Sequence, residues 1–255
     1  MFLNFDFALL LTQLGLALAV AAQAIEHRRA SRGEWRLMAW RGGAAVLLLV
    51  GVMWSLWASQ TPGATIQAAS IGQALRAAAS WVIFGLGVLS LKRFGGPYCG
   101  GSDLMTLQVS LCMALAESST SPAWRLGAAG YLSIQVCLSY WQSGWVKLVN
   151  PEWRNGRALR EVFAYTHYPV SEATRHWART PRLLWVMGWL IMLMEFFFPL
   201  SLYYRTSLCA ALVFMGLFHL ANAWFFGLNR FFWIWITTYP TLLAWQPFMA
   251  EFMRR

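Results

Sequence analysis

The chain has 255 residues, of which 58% are hydrophobic and only 12% are charged. A soluble domain carries about 25% charged residues, so this composition excludes an ordinary water-soluble fold. The formal net charge of +10 raises the question of nucleic-acid binding. The basic residues, however, lie in short segments between apolar runs, which is typical of membrane orientation and of attraction to anionic lipid. We therefore expect the lipid bilayer, and no nucleic acid, as a partner.

Eight apolar stretches are candidate membrane spans, because a spanning helix needs about 20 mostly apolar residues. In chain order they are Phe5–Ala24, Arg41–Ser59, Ala74–Leu91, Asp103–Glu117, Leu126–Leu148, Leu183–Tyr203, Ser207–Phe226 and Phe231–Phe248. The fourth is short and carries Thr106 and Ser110, so a tilted or re-entrant helix is an alternative there. A membrane admits only helices or closed barrels, and the runs lack an alternating period. The predicted fold class is all-α, a polytopic transmembrane helical bundle of about eight helices forming a single domain over residues 1–255.

The basic residues predict how these spans are oriented. Residues 25–41 hold five arginines, Lys92 and Arg93 follow the third span, and residues 154–182 hold six more arginines. With eight spans, these segments share one side with Lys147 and Arg230, and that side carries 15 of the 20 Lys and Arg. The positive-inside rule places this side in the cytoplasm and both termini outside.

Residues 150–182 form the one sizeable segment that is not predicted to span. Seven apolar residues are interleaved there with Arg and Glu: Trp153, Leu159, Val162, Phe163, Tyr165, Tyr168 and Trp177. This pattern indicates one or two amphipathic helices at the cytoplasmic interface. Pro169, followed by Ser171 and Glu172, predicts a break and a new helix start.

The loop from Gly95 to Asp103 is rich in glycine. It could offer backbone N–H groups to an anion, or it could be a tight turn in which Ser102 or Asp103 caps the next helix. No metal site is predicted, because the four cysteines lack C-x-x-C spacing and His219 has no second His at ligand spacing.

Ionisable residues at membrane depth are costly and are functional hypotheses by default. Lys147 ends the fifth span and follows a polar stripe at helical spacing, formed by Gln135, Ser139, Gln142 and Ser143. A polar stripe is unfavourable against lipid, so we expect it to face the bundle interior or a wet cavity. The alternative is that Lys147 extends to the cytoplasmic interface as a topology anchor.

Glu195 and His219 lie in the middle of the sixth and seventh spans. Glu195 could pair with His219, Arg76 or Lys147, or it could form a structural hydrogen bond between helices. His219 shares a helix face with Asn222, three residues on, and a buried His is also a common hydrogen-bonded packing residue.

Residues Gln135 to Val162 read QVCLSYWQSGWVKLVNPEWRNGRALREV. This stretch resembles the signature of the vitamin K-dependent γ-carboxylase-like proteins, whose membrane part is called the horizontally transferred transmembrane (HTTM) domain. The matching positions are Gly144, Lys147, Leu148, Trp153 and Gly156. The Glu195-to-Pro199 helix and the stretch Phe218–Asn222 also fit, so the resemblance covers residues of about 130–235.

The resemblance implies specific roles for these residues. In the carboxylases the motif lysine is the base that deprotonates the reduced vitamin, which implies Lys147 as a general base here. A neutral amine can accept a proton from a quinol hydroxyl. Glu195 and His219 would then relay protons or orient the ligand. The implied ligand is a quinone or other prenylated lipid, and Tyr140, Gln142, Trp153 and Asn222 would contact it.

Two functions from different classes are compatible with this resemblance. The carboxylases carry a large domain beyond the membrane region, and because the sequence stops at Arg255 we expect an activity other than γ-glutamyl carboxylation. The first expectation is a non-catalytic membrane subunit that docks partner proteins or lipids in a complex, since short bacterial members include one that acts with partner proteins. The alternative is a membrane enzyme that binds a quinone or other prenylated ligand. Either protein would be a multi-pass protein of the bacterial inner (cytoplasmic) membrane.

Overall fold

The structure is a computed structural model that describes residues 4–30, 34–62, 65–97, 99–165 and 169–254. Arg32 in the first basic segment, Tyr98 in the glycine-rich loop and Tyr168 in the amphipathic segment lie outside the described residues. The described part of the chain is built of helices and contains no strand, so the predicted all-α class is confirmed.

Eight long helices cover the eight predicted stretches, and short helices occupy the segment between the fifth and the sixth. In chain order they are α1 (Phe5–Ala30), α2 (Trp35–Gln60), α3 (Ile66–Phe94), α4 (Gly100–Glu117), α5 (Pro122–Val149), α6 (Pro151–Arg154), α7 (Arg157–Tyr165), a 3₁₀ helix (Pro169–Arg179), α8 (Pro181–Phe197) with a 3₁₀ extension (Phe198–Tyr203), α9 (Arg205–Phe226) and α10 (Asn229–Arg254).

Five of the described helical stretches are long and apolar enough to cross a membrane. They are Phe5–His27, Trp35–Gln60, Ile66–Phe94, Pro181–Tyr203 and Arg205–Phe226. The other three long helices, α4, α5 and α10, carry ionisable residues such as Glu117, Lys147 and Glu251. The count of about eight spans therefore stays a prediction for these three.

The chain divides into two compact units, and the first contains Met1–Ser133 and Trp233–Trp245. Within it, α2 packs against α1 and α3, and α4 packs against α3 and α1. Buried polar side chains hydrogen-bond between these helices: Gln23 Nε2 donates to Thr106 Oγ1 at 2.8 Å, and Arg41 Nη2 donates to Gln23 Oε1 at 2.9 Å. In an apolar interior such pairing is required, because an unpaired polar group costs several kcal/mol.

The loop between α3 and α4, in the same unit, has the geometry of a turn. Gly95 ends α3 in the left-handed conformation with φ 67°, and its N–H donates to Leu91 O. The Cys99 N–H donates to Asp103 Oδ2 at 2.8 Å, so Asp103 caps the start of α4. Of the two predicted alternatives for this loop, the described atoms form the tight turn with a capping residue.

The second unit contains Ile134–Phe232 and Gln246–Arg255. In it α6 and α7 pack against α8, and the Pro169–Arg179 helix packs against α7, α8 and α9. Helix α7 is amphipathic, with Leu159 and Phe163 buried while Arg157 and Arg160 are exposed. The predicted amphipathic segment is therefore present as helices, and its position at the cytoplasmic interface stays a prediction.

Candidate functional site

An ion pair inside the second unit joins α5 to α8. Lys147 Nζ lies 2.6 Å from Glu195 Oε2, and the side chains are 16% and 4% exposed. Ser143, one turn before Lys147, accepts a hydrogen bond from Nζ and donates one to Glu195 Oε1 at 3.1 Å. Both carboxylate oxygens are thus bonded, which is the condition for a buried ion pair to be tolerated. Of the partners that the sequence left open for Glu195, Lys147 forms the ion pair.

Gly144 explains why these two helices can approach so closely. A Cβ placed on Gly144 would lie 2.4 Å from the backbone nitrogen of Phe196 and 2.8 Å from its Cα. No side chain fits in that gap, and the obstacle is backbone rather than a flexible side chain. The missing side chain between Ser143 and Lys147 is therefore what lets α5 present both residues to Glu195 on α8.

Trp153 covers the other side of the ammonium group. Lys147 Nζ lies 5.4 Å from the centroid of the Trp153 ring, within the range of a cation–π contact. The ring is carried by the short helix α6, which begins after Asn150. The Asn150 side chain accepts a hydrogen bond from the Glu152 N–H at 2.9 Å and so caps this helix.

Two indole rings of α8 fix the end of α6. Trp185 Nε1 and Trp189 Nε1 both donate to the carbonyl oxygen of Arg154, at 2.9 and 3.1 Å. Gly156 then turns the chain into α7 with φ 79°, and its Cα faces Trp185 closely enough that a Cβ would lie 3.2 Å from the Trp185 Cβ. The position of Trp153 over Lys147 is thus set by α8, the helix that also carries Glu195.

A second buried polar pair joins α5 to α9. Tyr140 Oη and His219 Nε2 lie 2.9 Å apart, and each residue is 2% exposed. Phe198 packs on the Tyr140 ring with a centroid distance of 4.4 Å. Tyr140 precedes Lys147 by two helical turns, so the two side chains leave α5 at angles only about 20° apart and about 10 Å apart along the axis.

Lys147 lines a cavity of about 260 Å³ in the same unit. Its walls are apolar apart from Lys147 and the Asn222 amide, and they come from α5 to α9: Lys147, Trp153, Leu159, Val162, Phe163, Met187, Ile191, Phe218, Ala221, Asn222, Phe225, Phe226 and Leu228. A cavity that combines a large apolar lining with a few polar groups is the usual form of a small-molecule site.

Six of the seven predicted site residues fall into two groups. Lys147, Trp153 and Asn222 line the cavity, and Glu195 holds Lys147 from behind the lining. Tyr140 and His219 form the neighbouring buried pair, outside the lining.

Gln142 is exposed, which corrects the expectation that the whole stripe faces inward. At 100° per residue it points about 140° away from Lys147, because a stripe built from steps of three and four residues drifts around the helix.

The sequence analysis placed Ser143 in the polar stripe before Lys147, from its spacing of one turn, but not among the site residues. It did not predict the cavity wall that α7 provides or the apolar residues of α9 beside Asn222. Phe218 lies in a long apolar run and Leu159 on the apolar face of an amphipathic helix, and no local signal distinguishes a cavity wall from a packed core. In the part of the chain that the structure describes, no group of three or more His, Cys, Asp or Glu side chains could hold a metal ion.

The helices beside the cavity carry arginines that are paired with glutamates. Arg157 Nε donates to Glu161 at 2.7 Å, and Arg175 bonds to Glu172 at 2.7 Å. The hydrogen bond to Glu161, with the charge of Glu152, raises the pKa of Arg157 above its ordinary value. These arginines therefore stay cationic in the segment that is predicted to face anionic lipid.

Comparison with protein families matches residues 106–246 to the HTTM domain, which covers more than half of the chain and includes all of the candidate site. Comparisons with curated proteins and with solved structures give no significant match. The resemblance predicted from residues of about 130–235 is thereby confirmed and extended at both ends. Together with five helices long and apolar enough to cross a membrane, the match shows that the chain is a membrane protein belonging to the HTTM domain family.

Proposed function

We propose that this protein is a multi-pass protein of the bacterial cytoplasmic membrane that binds a quinone or other prenylated ligand and uses Lys147 as a general base. The observation that carries the proposal is Lys147, which lines an apolar cavity of about 260 Å³ while its amino group is bonded to buried Glu195. A prenyl chain fits apolar walls, and a ring hydroxyl fits the one basic group among them.

The proton transfer follows from the contacts of Lys147. In the ion pair Lys147 is an ammonium, so it becomes a base only after one proton has passed to the Glu195 carboxylate across the 2.6 Å contact. The neutral amine then accepts the proton of a quinol hydroxyl, which leaves a quinolate and an ammonium group. The Ser143 hydroxyl oxygen and the carboxyl group of Glu195 accept hydrogen bonds from that ammonium. The quinolate oxygen faces the same ammonium and the Asn222 amide, another polar group of the wall. The electron-rich quinolate is then the reactive species, and the apolar walls keep water from reprotonating it.

The test of binding uses a short-chain menaquinone and protein in phosphatidylcholine nanodiscs. Bound quinone is expected to quench tryptophan fluorescence, because Trp153 forms part of the cavity wall. Ala221→Trp fills the cavity and is expected to weaken binding by at least about tenfold, or about 1.4 kcal/mol. Ala210→Trp, which adds the same bulk at an exposed position of α9, is the matched control and is expected to bind as the unchanged protein does.

The test of the base uses the reduced quinone under anaerobic conditions. The absorbance band of a quinolate is expected with the unchanged protein at neutral pH and is expected to vanish in Lys147→Met, while fluorescence quenching persists. Equal quinolate bands in the two proteins would refute the role of Lys147. Lys147→Arg keeps the charge and the ion pair but does not supply a neutral amine, so it too is expected to lose the band.

A non-catalytic docking role has one supporting observation. Trp141, Trp145 and Phe196 form an aromatic cluster on α5 and α8, with ring centroids 6.1 to 6.4 Å apart, and the two tryptophans are 40% and 48% exposed. A partner helix could pack there. Under this function, Trp141→Ala with Trp145→Ala removes a co-purifying partner chain, and Lys147→Met leaves that partner bound.

A further inference from the structure

The first unit contains a second charged cluster, formed by α1, α3, α4 and α5 and separate from the Lys147 site. Arg76 Nη2 bonds to Glu117 Oε2 at 2.8 Å, and Gln13 Nε2 donates to Glu117 Oε1 at 3.0 Å. Arg125 Nη1 lies 2.7 Å from Asp6 Oδ1 and its Nη2 lies 3.9 Å from Glu117. Two cations and two anions therefore alternate along one chain of contacts.

This cluster borders a cavity of about 410 Å³. Arg76, Arg125 and Asp6 line it, together with hydroxyl and amide side chains from the end of α2 and the beginning of α3. The Arg76 side chain is nine-tenths buried, and its Nε has no hydrogen-bond partner among residues 4–254 as the structure describes them. The Nε of Arg125 is also buried and also lacks a hydrogen-bond partner among the described residues. A guanidinium N–H group without a partner is a donor whose hydrogen bond is still to be made, so this part of the unit is short of oxygen acceptors.

The same cavity also offers acceptors. The Ser59 and Ser70 hydroxyls each donate to a backbone carbonyl of their own helix, at 2.8 Å. The lone pairs of the two hydroxyl oxygens are therefore left to accept hydrogen bonds from other donors. Gln73 Nε2 donates to the carbonyl oxygens of Glu117 and Ser119, so its carbonyl oxygen is the group left to accept. The cavity thus presents the cationic Arg125 and the anionic Asp6 side by side, 2.7 Å apart, and it also offers neutral hydroxyl and amide acceptors.

The charge balance of the cluster decides the class of ligand. Arg76, Arg125, Asp6 and Glu117 sum to zero, so a ligand with a net charge would leave an unbalanced charge beside a largely buried ion pair, which is unfavourable. A zwitterion adds no net charge and can place its anionic group against Arg125 and its cationic group against Asp6. We infer that this cavity binds a zwitterion in which a phosphate and an ammonium group are joined by a short spacer.

The lining of the cavity runs inward from the end of a helix. The lining begins at Thr65 and Ile66, where α3 starts, and reaches Arg76 about 15 Å further along the helix. It therefore extends inward from the helix ends, where the polar headgroups of a bilayer lie. A phospholipid headgroup and free phosphoethanolamine share the same chemistry and differ only in whether acyl chains are attached.

The experiment uses the full chain in a nonionic detergent and counts retained molecules by native mass spectrometry. Phosphatidylethanolamine, phosphatidylglycerol and soluble phosphoethanolamine are added in separate arms. We expect one phosphatidylethanolamine or one phosphoethanolamine per chain and about tenfold weaker retention of anionic phosphatidylglycerol. Retention in the lipid arm alone assigns the site to a membrane headgroup, and equal retention of the soluble molecule assigns it to a free zwitterion.

Three variants test whether the charged cluster is responsible. Asp6→Asn changes an exposed carboxylate. It is expected to weaken retention of the zwitterion about tenfold, because the ammonium group of the zwitterion loses a charged acceptor. Arg125→Gln is expected to weaken retention about tenfold as well, because the phosphate of the zwitterion loses a cationic donor. A thermal unfolding scan shows whether that variant is folded. Arg93→Gln breaks an exposed ion pair with Glu34 elsewhere in the same unit and is the matched control, expected to be unchanged.

Phosphatidylglycerol bound as tightly as phosphatidylethanolamine overturns the inference, and so does Asp6→Asn with unaltered retention. Because Asp6→Asn removes no buried contact, it decides the question even if Arg125→Gln does not fold. None of these outcomes depends on quinone binding at Lys147, so the two sites can fail separately.

Discussion

Lys147 and Glu195 stabilise each other as a pair, and each is unfavourable alone. Their side chains are 16% and 4% exposed, and Nζ and Oε2 are 2.6 Å apart. At such burial the desolvation cost of each charge is large, so removing one partner leaves the other uncompensated. The cost of a substitution here therefore depends on what happens to the partner that remains.

Glu195→Gln leaves the Lys147 ammonium with a neutral amide, and we expect it to lower the free energy of unfolding by about 3 kcal/mol. Lys147→Met is expected to have a similar effect, because it leaves the Glu195 carboxylate buried without its cationic partner. The double variant Lys147→Met/Glu195→Gln should lose at least about 1 kcal/mol less than the sum of the two, since neither charge remains. Chemical unfolding in mixed micelles measures all three. Strict additivity would show that the pair does not couple, and Arg93→Gln, at an exposed pair, supplies the comparison.

The importance of these residues could be predicted from sequence, but their pairing could not. Lys147, Glu195 and His219 stand out because ionisable groups are rare in apolar helices. Lys147 and Glu195 are 48 residues apart, and helical periodicity says nothing of the register between two helices. For this reason Arg76 and His219 were equal alternatives for Glu195, whereas the structure pairs Arg76 with Glu117 and His219 with Tyr140.

At the scale of helices, the site depends on how closely α5 and α8 pack. The contact of Gly144 with the Phe196 backbone brings Ser143 and Lys147 within hydrogen-bond distance of Glu195. A glycine is needed here because of the neighbouring backbone and not because of its own φ. The family signature contains this glycine, yet no feature of the sequence shows which helix it faces.

Gly144→Ala is expected to force α5 and α8 apart and to lower the free energy of unfolding by about 1–3 kcal/mol, the usual range for overpacking. The matched control is Gly188→Ala on α8, where an added Cβ would meet nothing within 4 Å. That substitution is expected to be neutral or to stabilise by up to about 1 kcal/mol, because alanine favours helix more than glycine. Thermal unfolding in detergent compares the two, and equal stability of both variants would argue against close packing at Gly144.

At the scale of the whole molecule, orientation depends on how many helices cross the bilayer. Five of the described helical stretches are long and apolar enough to cross, and α4, α5 and α10 are not among them. If all eight cross, the arginine-rich segments before α4 and after α5 lie on one side, as the positive-inside rule requires. If α4 does not cross, these segments fall on opposite sides, which that rule disfavours. The distribution of charge therefore favours a crossing α4 even though its own composition is ambiguous.

Labelling of single cysteines with a membrane-impermeant maleimide distinguishes these topologies. The labelling of intact cells is compared with that of opened cells. The background replaces Cys99 and Cys209 by Ser and keeps the two buried cysteines, Cys112 and Cys137. In that background, Pro97→Cys and Asn155→Cys are expected to react only after the cells are opened, and Thr120→Cys is expected to react in intact cells. Thr120 and Pro97 flank α4, so labelling of both from the same side would show that α4 does not cross. The control is the background without added cysteines, which should stay unlabelled. If α4 and α5 both cross, Pro97 and Asn155 lie on the same side, which is the side that carries most of the arginines.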